Sequence, residues 1–116
     1  MPMFFSDFDS AKKAFVNPDD AVGRIDDFPA IAVSTFSGDI IEDYVKACNP
    51  PEIACLYTAN GSLPVYRAEY KGNEIALFVS RVGAPACVAG LEEIMAMGAR
   101  KIVLFGCCGV LNESAT

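Results

Sequence analysis

From residue 30 onward, short apolar runs alternate with stretches in which apolar residues recur every three or four positions. The runs Ala30–Phe36, Ile53–Thr58 and Ile102–Phe105 are rich in β-branched and apolar residues, and each predicts a strand. Pro64–Tyr70 and Glu74–Ser80 flank Lys71-Gly72-Asn73, the pattern of a β-hairpin packed through Val65, Tyr66, Ile75, Leu77 and Val79. Ile40, Ile41, Tyr44, Val45 and Cys48 share one helical face. They predict a helix over Ile40–Cys48, capped by Ser37-Gly38-Asp39 and ended by Asn49-Pro50-Pro51. A second helix, Pro85–Met97, carries the stripe Val88, Leu91, Ile94 and Met95. Its proline sits in the first turn and Gly98 follows its end. Ahead of these, Ser10–Val16 predicts a short helix capped by Asp9 or Ser10 and stopped at Asn17-Pro18. Asp19–Pro29 is acidic and predicts a surface connection.

The element order is strand, helix, strand, hairpin, helix, strand. That order predicts one α/β domain over residues 1–116 with a mixed, largely parallel sheet. The Ile102–Phe105 run lacks alternation, so both of its faces should be covered, as in the middle of a sheet. It ends at Gly106-Cys107-Cys108-Gly109, where two glycines flank two small side chains. Ligands of open α/β sheets bind just outside the carboxyl ends of strands, so this loop is the first candidate site. A glycine-containing loop, Val82-Gly83-Ala84-Pro85, opens the second helix, whose first amides are free to meet an anion. Both loops also read as ordinary turns. The chain ends at Thr116, soon after a strand expected to be central. It therefore reads as the front part of a larger fold, or as a unit completed by self-association.

Composition narrows the function. Apolar residues make up 53% of the chain and charged residues 21%, which excludes disorder and points to a buried core or interface. No apolar run is long enough to span a membrane. Met1–Phe5 is followed at once by Asp7 and Asp9, unlike a signal peptide. The net charge of −6, without a basic cluster, argues against nucleic acid as a partner. The sequence has no histidine, so histidine-based nucleophiles and histidine metal sites are excluded for this chain, and no metal site is predicted. The five cysteines are Cys48, Cys55, Cys87, Cys107 and Cys108. They are odd in number, lack C-x-x-C spacing and mostly sit in apolar or small-residue surroundings, as reduced cytoplasmic thiols do.

Three segments together resemble the nucleoside phosphorylase family, of the purine nucleoside and uridine phosphorylase type. I-A-V-S-T-F-S-G-D-I-I-E (Ile31 to Glu42) is similar to that family's opening strand, phosphate loop and helix. V-G-A-P-A-C-V-A-G-L-E-E-I (Val82 to Ile94) resembles its glycine-glycine-proline loop and the helix with a Glu-Glu pair. G-A-R-K-I-V-L-F-G-C-C-G-V-L (Gly98 to Leu111) resembles its strand ending in a Gly-Ser/Thr-Cys/Thr-Gly loop. The likeness covers nearly everything after residue 30.

The resemblance implies a Rossmann-like α/β/α enzyme with a β-hairpin, working as a homo-oligomer in the cytoplasm and represented here by its N-terminal portion. Such enzymes cleave the N-glycosidic bond of a nucleoside with inorganic phosphate as co-substrate. They give free base and ribose 1-phosphate and use no other cofactor. It further implies phosphate contacts from Ser37, Gly38, Arg81 and Cys107, and a nucleoside pocket lined by Cys108 and Gly109, with Gly83 in the loop beneath. Two family arginines are missing. Leu104 stands where one is usual, and none follows Ser37-Gly38-Asp39. Arg81 is either their substitute or a solvated loop residue, and Arg24 is a more distant candidate that would reach a neighbouring subunit. The family's acidic ribose-contacting and base-recognising residues belong to its second half. Two further readings stay open, a hydrolytic nucleosidase and a truncated homologue without catalysis. A dinucleotide-binding fold is disfavoured, because no G-x-G-x-x-G follows the first strand.

Overall fold

The computed structural model describes residues 10–115. The Met1–Phe5 run and the Asp9 cap lie outside the described residues. The elements in chain order are α1 (Pro18–Ala21), β1 (Ile31–Thr35), α2 (Gly38–Cys48), β2 (Glu52–Thr58), β3 (Gly61–Tyr70), β4 (Asn73–Val79), α3 (Ala84–Met97) and β5 (Lys101–Phe105), followed by a 3-10 turn at Glu113–Ala115.

The five strands form one sheet in the order β2-β3-β4-β1-β5. β1 pairs in parallel with both β4 and β5, whereas β2–β3 and β3–β4 are antiparallel. The sheet is therefore mixed, with its parallel part confined to β4-β1-β5. The expected Lys71-Gly72 hairpin joins β3 and β4, with Lys71 and Gly72 both at positive φ. A second hairpin, β2–β3, is masked in the sequence by Pro64, which lies inside β3 without breaking it. Pro64 pairs with Cys55 of β2, and the ladder to β4 begins only at Tyr66. The missing N–H thus falls where β3 has one neighbour instead of two.

Two helices cover opposite faces. On one face Ile94 and Met97 of α3 pack with Ala32, Leu56, Val65, Ala76 and Phe78. On the other, Ile41, Tyr44 and Val45 of α2 pack with Val33, Ala68 and Leu77. The buried stripe of α3 is Cys87, Gly90, Ile94 and Met97, one step round from the predicted stripe; Val88 and Met95 are exposed. The helix is apolar almost all round, so periodicity alone does not choose its inner face. Among the described residues no helix is long and apolar enough to cross a membrane.

Three expectations need correction. Ser10–Val16 is not helical, and Phe15 is fully exposed. A seven-residue helix without a packed face does not repay its nucleation cost. The short helix begins instead at Pro18, with Asn17 as its cap. The Asp20 carboxylate accepts the Asn17 backbone N–H at 2.9 Å, which lowers the Asp20 pKa from its ordinary value. Asp19–Pro29 is not merely a surface connection, because Val22, Ile25 and Phe28 pack on the α3-side core and the Ile25 N–H bonds the Met97 carbonyl. Finally, β5 is not central. It is an edge strand with Val103, Leu104 and Phe105 exposed, since β1 is its only strand partner among the described residues.

Candidate functional site

The parallel register sets the site. Thr35 lies level with Val79 on one side and with Phe105 on the other. The carboxyl ends of β1, β4 and β5 therefore come out together. Phe36-Ser37, Ser80 to Gly83 and Gly106 to Gly109 all leave from that end of the sheet. The sequence-predicted loops are thus brought to one rim. Gly106 is in direct reach of the first loop, because a Cβ there would lie 3.0 Å from Phe36 Cδ2.

Each loop presents its groups for a local reason. Ser37 is the N-cap of α2 in extended backbone, yet its hydroxyl makes no capping bond. Its backbone N–H instead reaches Thr35 Oγ1 at 3.3 Å. Gly38 is the first residue of α2, whose leading amides face this end. Gly83 caps α3 at φ +98, a conformation that glycine adopts without strain, and its carbonyl accepts the Cys87 N–H at 2.9 Å. Two helix N-termini and their partial positive charge therefore meet at the same rim.

Arg81 is half-buried; its Nε is sealed from solvent and, among the described residues, has no hydrogen-bond partner. Its guanidinium turns under α3, where a Cβ added to Gly90 would lie 3.8 Å from both Arg81 Nη2 and Leu56 Cδ1. Arg67 offers a contrast. Its Nη1 bonds Glu74 Oε2 at 2.6 Å and its Nη2 bonds the Asp27 carbonyl at 2.9 Å, so it is already spent. An unpaired guanidinium in partly desolvated surroundings favours an anion nearby.

The remaining predicted residues are placed less tightly. Cys107, Cys108 and Gly109 are all exposed, and a Cβ at Gly109 would meet nothing within 4 Å. The described residues build no wall around them. Of the five cysteines Cys87 is buried, Cys55 is half-buried, and Cys48, Cys107 and Cys108 are exposed. Arg24 lines a cavity with Met95, Gly98 and Arg100, at the amino end of β5, and so is not brought to the rim. Leu104, in the place of the missing arginine, is an exposed residue of the edge strand.

Sequence reasoning passed over Ser34 and Ser80. Both are buried at the carboxyl ends of β1 and β4, and their hydroxyls lie 2.6 Å apart. The available signal was a serine set at the end of each of two otherwise apolar strands, A-V-S and F-V-S. Buried hydroxyls require partners, and each supplies the other's.

An apolar groove of about 530 Å³ lies elsewhere, on the α2 face, lined by Val33, Ile40, Tyr44, Val103 and Phe105 among others. None of its lining residues comes from the three loops.

Comparison with known proteins agrees with this architecture. No curated protein sequence matches the chain. Among solved structures it is similar to the uridine phosphorylase from Vibrio fischeri ES114 complexed with 6-hydroxy-1-naphthoic acid. The TM-score is 0.52 at 20% identity, over 69% of this chain and 32% of that one. The chain thus spans about a third of that enzyme's length, and the likeness establishes the fold. The family profile described as the phosphorylase superfamily matches residues 30–116, which runs from the start of β1 through all three rim loops. On the strength of that match, this chain belongs to the phosphorylase superfamily.

Proposed function

We propose that the β1, β4 and β5 loops form the phosphate-binding side of a nucleoside phosphorylase-type site. In it Ser37, the Gly38 amide, Arg81 and Cys107 hold inorganic phosphate, and Cys108 and Gly109 border the nucleoside. The substrate class is a nucleoside, either uridine or a purine nucleoside. Phosphate oxygen bonds to ribose C1′ as the N-glycosidic bond breaks, and the bonding pair leaves with the base. The protein's share is to position phosphate and stabilise the oxocarbenium-like centre electrostatically. No other cofactor enters. The carrying observation is the level exit of three loops, one of which begins at the half-buried Arg81, whose side chain has no hydrogen-bond partner among the described residues. Superfamily membership supports the reaction class. We place the protein in the cytoplasm, where its free thiols stay reduced.

A hydrolytic reading draws on one observation, the absence of the two usual arginines, with Leu104 in one of their places. Phosphate dependence of base release separates it from phosphorolysis.

The direct test is titration of the chain with inorganic phosphate, followed by NMR. Shifts should gather at Ser37, Gly38, Arg81 and Cys107. A charge-assisted arginine bond contributes about 1.5–3 kcal/mol, so Arg81→Ala should weaken phosphate binding by about tenfold to a hundredfold. Gly109→Val should keep the fold, given the open space there, and block nucleoside binding. Phosphate-induced shifts centred on Arg67 or Arg100, or unchanged affinity in Arg81→Ala, would overturn the assignment.

A further inference from the structure

Two buried hydroxyls at the rim have no part in the anion contacts above. Ser34 is fully buried and Ser80 is 5% exposed, and they meet at 2.6 Å across the β1–β4 seam. Ser34 Oγ also donates to the Phe78 carbonyl at 3.0 Å. A hydroxyl carries one proton. With the Ser34 proton on Phe78, the short bond between the serines is made by the Ser80 proton. The relay therefore runs one way, from Ser80 to Ser34 to the Phe78 carbonyl.

Ser80 is held a second time through its backbone, where its N–H donates to the Thr35 carbonyl at 2.8 Å. The next residue is Arg81. Among the described residues the Arg81 side chain has no hydrogen bond or ion pair to fix it, only packing near Gly90 and Leu56. Its placement depends on the backbone from which it springs.

We infer that Ser80, through its hydrogen bond to Ser34, is the positioning residue that aims the Arg81 guanidinium at the anion site. This rests on the reading of Arg81 as an anion-binding residue. A clamp that only joined β1 to β4 would lower stability and leave Arg81 unchanged, so the two roles are separable.

Ser80→Ala is the informative variant. It leaves Ser34 bonded to Phe78 and strands no buried donor, so the fold should survive. The measurements are relaxation of the Arg81 Nε–Hε NMR signal and the affinity for inorganic phosphate. In Ser80→Ala the Arg81 signal should become more mobile, and phosphate affinity should fall by about threefold to tenfold, in the lower part of the range for coupled neighbours. Added to Arg81→Ala, the same substitution should change affinity no further, and Ser80→Thr should restore both readouts. If Ser80→Ala does not fold, Ser80→Cys gives the same comparison, with a weaker donor of similar size. Phosphate binding at Arg81 with unchanged mobility and affinity in Ser80→Ala would overturn this inference alone. Wild-type protein in which phosphate never perturbs Arg81 would overturn the anion reading and this inference with it.

Discussion

β4 and β5 flank the same strand, in the same direction and in matching register, yet they live in different surroundings. Ala76, Leu77 and Phe78 of β4 are buried, Phe78 to 1% exposure. Val103 and Phe105 of β5 are 53% and 44% exposed. Their paired segments, I-A-L-F-V and K-I-V-L-F, are both predominantly apolar. What differs is the company. β4 has β3 on its far side and packed side chains on both faces, while β5 pairs with β1 alone among the described strands and packs on the core through Ile102. An apolar run reports that a strand is suited to cover on both faces, and says nothing of which polypeptide supplies the cover.

The largest test of that difference compares two phenylalanines. Phe78→Ala should cost about 3–5 kcal/mol, and Phe105→Ala less than about 1 kcal/mol, because only the first leaves a cavity. Urea unfolding midpoints read both, and equal losses would mean that β5 is covered in solution.

The hydroxyl relay sharpens the comparison on the β4 side. Ser34→Ala removes the acceptor of a buried proton and should cost about 1–3 kcal/mol, against about 1 kcal/mol for Ser80→Ala. Thermal or urea unfolding decides it. A larger loss for Ser80→Ala would reverse the assigned direction of the bond.

The smallest effect on stability is expected at the β5 edge, where the readout is association. An exposed, apolar edge strand beside an apolar groove is a template for pairing, and we propose that the chain self-associates through it. Light scattering at micromolar concentration should show particles larger than 12.4 kDa, and Val103→Asp with Phe105→Asp should return them to that mass. A wild-type particle of 12.4 kDa would remove the proposal.

Most of the elements were legible because their signals are local. Apolar runs marked β1, β2 and β5, the Lys71-Gly72 turn marked the hairpin, and Pro85 and Gly98 bracketed α3. The rim loops were legible as candidates because parallel strands share one carboxyl end. The buried face of α3, the role of Asn17 as a cap and the state of Arg81 were not, since each depends on a neighbour distant in sequence or on a competition between adjacent residues. The sequence by itself determined most of the strands and helices after residue 30, the lack of histidine in this chain and the glycine-bounded loops, all properties of short segments. Only the tertiary structure decided that β5 lies at an edge, that Ser34 and Ser80 meet, and that Arg81 finds no partner among the described residues. Pairing partners 44 and 46 residues apart are chosen by the register of the whole sheet, which no local pattern encodes.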